Sequence, residues 1–351
     1  MFFFGAPAFT PMNRIQYIDA ARGLAMFTVV YSHICMFCIP DYGGSPMIGF
    51  LREYFLNAFF FISGFIALRS SLPDRGKIAS QLWRKTCQLL IPTILFGAFY
   101  ALSRGISPGD MLFDGAKYGY WFTFVLYEMY LVYLFVAFAA SFFTRRRRQA
   151  FDIIVLAVTA LIYLVHKRAG HFEQSDDLLC LGNFLGYFIF FGAGLFAASR
   201  KTEIARCLDY KGGVIVLLCA VLICLDSFLS MPRLLYRFSV LLTVVYVLRR
   251  FYASDRSIPL EVPYKNSLTT LGRYTLEIYF IHYFLLFPLP ASLGEYLRSL
   301  TPGIYSSVGF PEILTVGSVT LLTCYACILL SALIDRIPYL PRLAFGKTAR
   351  V

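Results

Sequence analysis

Arg22 and His33 lie on the first long apolar run of this 351-residue chain, IDAARGLAMFTVVYSHICMFCI. An ionisable side chain inside a membrane segment is costly unless water, a partner or a substrate meets it, so His33 reads first as a functional residue. Eleven residues of α-helix advance about 16.5 Å and turn about 1100°, roughly 20° past three full turns, so the two side chains share one face. A single extended ligand could touch the guanidinium with one end and the imidazole with the other. Neutral imidazole serves as base or nucleophile near neutral pH, and a planar, permanently charged guanidinium suits phosphate. The plainer readings are an i, i+3 pair of Arg22 with Asp19 that anchors the helix, and a core histidine bonded to a backbone carbonyl.

Other polar residues share these apolar surroundings. Glu128 closes YWFTFVLYE, an aromatic interface run that begins at Tyr120 and includes Trp121. By residue count, His33 lies about 10 Å and Glu128 about 12 Å from the far surface of a hydrocarbon core about 30 Å thick. The two are expected to be level, which gives Glu128 the task of orienting His33 and stabilising its imidazolium. The alternative is a carboxylate bonded to a tyrosine such as Tyr127 or Tyr130. Glu277 and His282, in LGRYTLEIYFIH, read as cavity or structural groups, as do Asn57 and Ser63 in NAFFFISGF, where Gly64 allows close helix approach. Arg84 and Lys85, in WRKTCQLLIP, form a basic cluster running into a membrane helix. They could hold phosphates or serve only as topology signals.

The elements that carry these residues must be membrane helices. The chain is 58% hydrophobic, 18% aromatic and only 15% charged, more apolar surface than one soluble core can hide. Runs of the roughly 17 to 25 residues that cross a bilayer lie near 20–39, 87–102, 120–143, 178–198, 212–230, 268–290 and 313–334, with shorter ones near 54–68, 151–165 and 234–248. They predict an all-α integral membrane protein, a bundle of about ten transmembrane helices with both termini cytoplasmic. It forms a single domain, 1–351, with its helical core over about 14–335. That topology puts most of the 32 Lys and Arg residues, including Arg145 to Arg148, on the cytoplasmic side. The net charge of +12 is then a matter of topology and anionic lipid headgroups, and nucleic acid is not an expected partner. Cys35 with Cys38, and Cys324 with Cys327, have CxxC spacing but fall inside apolar helices, so no metal site is expected. No internal repeat is visible, which weighs against the duplicated architecture of many transporters.

In order and spacing, ARG at 21–23 with His33, NAFFFISGF, WRKTCQLLIP, YWFTFVLYE and LGRYTLEIYFIH resemble the acyltransferase-3 family of integral membrane acyltransferases, which includes O-acetyltransferases of cell-surface polysaccharides. The resemblance runs from Arg14 to Asp335, and its most specific part is the arginine, ten residues, histidine signature on Arg22 and His33. Thr275 stands where the family often has serine, and Gln88 where a further basic residue often precedes the leucine-rich run to Pro92. The resemblance implies transfer of an acetyl or other short acyl group from cytoplasmic acyl-CoA to a hydroxyl of a cell-surface or membrane-linked glycan. It also implies a multi-pass protein of the plasma (inner) membrane that uses acyl-CoA as substrate and no cofactor. His33 would be catalytic, with Arg22, Arg84 and Lys85 on the donor phosphates. From a different class, a proton-coupled transporter or flippase could relay protons through His33, Glu128 and His282. A relay has no need of the Arg22 spacing or of the basic pair.

Overall fold

The computed structural model describes residues 16–39, 46–68, 72–168, 178–200, 232–257, 263–299 and 310–347. Among these residues all regular structure is helical: α1 (Gln16–Phe37), α2 (Pro46–Ala67), α3 (Arg75–Lys85), α4 (Ile91–Ser103), α5 (Pro108–Phe113), α6 (Trp121–Ala140), α7 (Arg147–Arg168), α8 (Leu181–Ser199), α9 (Arg233–Ser257), α10 (Pro263–Arg273), α11 (Thr275–Ile281), α12 (Ala291–Ser299), α13 (Phe310–Ile334) and α14 (Leu340–Phe345). Among the described residues six helices are long and apolar enough to cross a membrane: α1, the continuous run Arg75–Ser103, α6, α7, α8 and α13. A shorter apolar stretch, Phe55–Ala67, lies in α2. The span read near 212–230 lies outside the described residues.

Two expected spans differ from their reading. The run near 87–102 is the far part of a 29-residue helix, Arg75–Ser103. Pro92 has no N–H for the helical ladder, and just before it a π turn, Thr86–Leu90, lets the Ile91 N–H reach back to the Thr86 carbonyl. The run near 268–290 is not one helix. It breaks at Tyr274 (φ −101°, ψ 22°), continues as the seven residues of α11, tightens into a 3-10 turn at His282–Leu285, and is extended from Leu286. The Thr275 hydroxyl donates to the Gly272 carbonyl at 2.6 Å, a side-chain bond that competes with the helical ladder. Pro288 and Pro290 keep the chain from resuming the helix.

The centre of the bundle is α1, which packs on α2, α9, α10, α11 and α13. Two thirds of its apolar window is buried (67%), against 17% for α7 on the outer wall. Helix association in lipid depends on close backbone approach, and two glycine pairs supply it. A Cβ on Gly23 would overlap the Leu268 carbonyl of α10, and one on Gly272 would overlap the Asp19 carbonyl of α1. Gly64 of α2 and Gly194 of α8 face each other's helices through the Phe191 and Phe61 carbonyls in the same way. The first crossing matters for the site, because ten residues beyond Gly23 is His33 and ten beyond Gly272 is His282.

One end of the bundle is strongly basic, and its connections interlock there. Arg147 pairs with Asp74 at 3.4 Å, Arg75 donates to the Ser141 hydroxyl and carbonyl at 2.7 and 2.9 Å, and Asp152 takes Arg200 at 3.6 Å. The C-terminal segment folds back to the same end. Phe345 stacks on Phe96 of α4, and Lys347 bridges Asp335 (2.8 Å) and the buried Glu277 of α11 (3.1 Å). Gly346, at φ +61°, sits where a Cβ would meet the Cys87 carbonyl of the π turn.

Candidate active site

The end of the bundle opposite the basic one holds a pair of histidines. His33 stands one turn before the end of α1, half-buried. His282, at the start of the 3-10 turn after α11, has no exposed surface. Nδ1 of His33 lies 2.8 Å from Nε2 of His282, and Nδ1 of His282 lies 3.0 Å from the Ile278 carbonyl oxygen. The ring planes are within 10° and the centroids 5.1 Å apart. The difference between 5.1 Å and 2.8 Å is what two imidazole radii supply. The rings therefore lie edge to edge, with both nitrogens on the line between them.

Aromatic residues hold the pair. The Tyr283 ring packs 4.3 Å from His282 and 5.1 Å from His33, and Phe37 closes the outer side of His33 at 5.6 Å. Tyr283 fits because Gly119, at φ +99°, leaves its place empty; a Cβ there would overlap the phenol. The Gly119 carbonyl in turn accepts the hydroxyls of Tyr279 (2.9 Å) and Tyr283 (3.4 Å), and the Tyr120 hydroxyl donates to the Phe280 carbonyl at 3.0 Å. The loop entering α6 is thereby pinned to the histidine-bearing turn.

On α1, Arg22 is half-buried, next to the Gly23 crossing and on the His33 face. Lys85 and Arg84 part company. Lys85 turns inward, half-buried, with Nζ 3.8 Å over the Tyr130 ring, while Arg84 is exposed beside Trp83. An ammonium over an aromatic face is held by the ring quadrupole while keeping its own charge available.

Glu128 is not level with His33, contrary to the depth count. Along α6, Tyr120 touches the Tyr283 ring, Thr123 bonds Thr93, and Tyr127 bonds Thr86 at 3.1 Å. Glu128, half-buried between Tyr127 and Tyr130, therefore belongs to the layer of Lys85 and Thr86, about 12 Å below the histidines at 1.5 Å per residue. Part of the offset arises because α1 ends at Phe37, four residues or about 6 Å after His33, where the count allowed about 10 Å. The ring beside His33 is that of His282, whose Nε2 lies 2.8 Å from His33 Nδ1.

The remaining candidates lie away from the histidine pair. Asn57 is buried in α2, about one turn above the packed rings of Phe60 and Phe122. The Ser63 carbonyl accepts the Tyr130 hydroxyl at 3.3 Å. Trp121 stacks on Tyr187 of α8, with centroids 5.6 Å apart, and Glu277 is tied to Lys347. Sequence reasoning missed Tyr283, Gly272 and Lys347. Tyr283 stood next to a named histidine. The other two carry no local signal, since their partners are distant in the chain.

A bundle of apolar helices long enough to cross a bilayer, with an imidazole pair set into one end, is a multi-pass membrane protein. A family model described as an acyltransferase domain matches residues 15–332, nearly the whole chain, and the protein belongs to the acyltransferase-3 family. It is a membrane acyltransferase. Comparison with curated proteins and with solved structures gives no match.

Proposed function

We propose that the protein takes an acetyl or other short acyl group from acyl-CoA bound at its basic, cytoplasmic end and passes it to a hydroxyl of a cell-surface or membrane-linked glycan at the histidine end. The observation that supports this most is the half-buried His33, partnered on Nδ1 by a fully buried histidine, three turns from Arg22 on one helix face. In this reading Arg22 and Lys85 hold donor phosphates by charge-assisted hydrogen bonds. The pantetheine arm follows the Arg22 to His33 stripe and brings the thioester to the imidazole.

His33 takes the proton of the acceptor hydroxyl as its oxygen attacks the thioester carbonyl. The C–S bond then breaks, the ester remains on the acceptor, and the proton on His33 leaves with the coenzyme A thiolate. Atoms and charge balance without a cofactor. The protein works in the plasma membrane on this reading, with the bilayer and the two substrates as its partners.

The test is purified protein in liposomes with radiolabelled acetyl-CoA and a glycan acceptor. His33→Ala should lower turnover by about 10²-fold or more, the usual cost of a lost general base, with unchanged insertion. Near-normal transfer by that variant would remove the proposal.

A further inference from the structure

The histidine pair has a direction, and one backbone carbonyl sets it. A carbonyl oxygen only accepts, so the His282 nitrogen 3.0 Å from the Ile278 oxygen, Nδ1, carries its hydrogen. A neutral imidazole has one N–H, which leaves a lone pair on His282 Nε2. The atom facing that lone pair at 2.8 Å is His33 Nδ1. In the neutral pair it must be the donor, since the other His33 tautomer would set two lone pairs against each other. His33 Nε2 is then the bare nitrogen.

Building on the reading of His33 as the base, we propose that His282 is a positioning residue that locks His33 in its Nδ1–H tautomer and presents the Nε2 lone pair to the acceptor hydroxyl. Burial separates the two roles. His282 has no surface for a substrate to reach, and His33 has. An imidazole in water exchanges its proton between both nitrogens, and only one form places a lone pair where a hydroxyl can use it. The role is the one a buried carboxylate plays beside a catalytic histidine, where the wrong tautomer costs about 10⁴-fold. Here the acceptor is a neutral ring. When His33 Nε2 takes a proton, the Nδ1 proton can shift toward His282 Nε2, so the positive charge is spread over two rings held edge to edge. It stops there, because the far nitrogen of His282 is already bonded to Ile278.

Histidine-selective ¹⁵N labelling of the intact protein in lipid nanodiscs tests the assignment without activity, the His33 signals being assigned with His33→Gln. Protonated and bare ring nitrogens have well separated shifts, and His33 should show a protonated Nδ1 and a bare Nε2. Two variants provide a second arm. His282→Gln places an amide oxygen near the former Nε2 and should keep kcat within about 10-fold, whereas His282→Asn reaches only the former Nδ1 and should lose about 10²-fold or more, with KM for acyl-CoA unchanged in both. A purely structural role would favour Asn, which can restore the bond to Ile278. A protonated Nε2 on His33, or Asn at least as active as Gln, overturns the proposal. Should His33→Ala still transfer acyl groups, the base reading falls, and the ¹⁵N shifts still decide the tautomer.

Discussion

Lys85 and Arg84 are adjacent cations with different surroundings, one over the Tyr130 ring inside the bundle and one beside the exposed Trp83. If donor phosphates enter from inside the bundle, only the inward cation meets them. Lys85→Ala should raise KM for acyl-CoA several-fold, whereas Arg84→Ala should leave it within about twofold; steady-state kinetics over donor concentration checks both. Arg22→Ala should likewise weaken donor rather than acceptor, and Arg22→Lys should restore only part, because a point charge does not replace a planar fork. The Arg22 and His33 spacing was legible in the sequence, since it needs only helical periodicity within one segment. The partner of His33 was not. His282 was visible as a polar residue in an apolar run, but its contact is a meeting of residues 249 positions apart. Residue depth alone cannot predict which distant polar group will fill it, as the misplaced Glu128 shows.

At the scale of elements, two helices reach the site by way of one crossing. Gly23 and Gly272 let α1 and α10 touch backbone to backbone, and both chains then run ten residues to their histidines. Gly272→Leu should force the helices apart, cost about 1 to 3 kcal/mol of stability by overpacking, and reduce turnover more than donor affinity. A thermal melt alongside the kinetics would show it. The break at Tyr274 was not legible, because an apolar run with good helical periodicity looks continuous whether or not Thr275 diverts the Gly272 carbonyl.

The other element that steadies α11 is the C-terminal segment, through Lys347. Burial opposes the ammonium charge, but the hydrogen bond to Asp335 and the Glu277 carboxylate outweigh it and hold its pKa above the ordinary 10.5. A pKa raised on folding stabilises the folded state fully below the unfolded value, and that contribution fades as pH rises through the folded one. Lys347→Met should therefore lower the melting midpoint by a constant amount from neutral pH up to about 10, and the gap to the wild type should shrink above that. A gap that stays constant into stronger alkali would mean that the lysine acts through its stem alone.

The whole molecule has a basic end and a histidine end, and the proposed reaction depends on which side of the membrane each faces. In the proposed function the basic end faces the cytoplasm, as the positive-inside rule expects. Sealed vesicles of defined orientation should transfer acyl groups with donor on that face and acceptor on the other, so that only the acyl group crosses. Donor supplied only at the histidine end should fail, and equal rates from either side would overturn the sidedness. The helical class and most of the spans were open to sequence reading, because lipid imposes length and hydropathy on each span separately. The arrangement of the spans around α1 was not, since every span satisfies the bilayer equally well.

The 249 positions between the two histidines also set a schedule. His33 lies in the first described helix to leave the ribosome, and His282 follows only after most of the chain has been synthesised and inserted. Until then His33 has no ring to hold its tautomer, and Gly23 has no Gly272 to pack against. A half-made chain can already display Arg22 and Lys85, but its imidazole is not yet directed. On the proposed function, a directed imidazole would then exist only once α10 and α11 have arrived, so the order of synthesis itself would delay the assembly of the site.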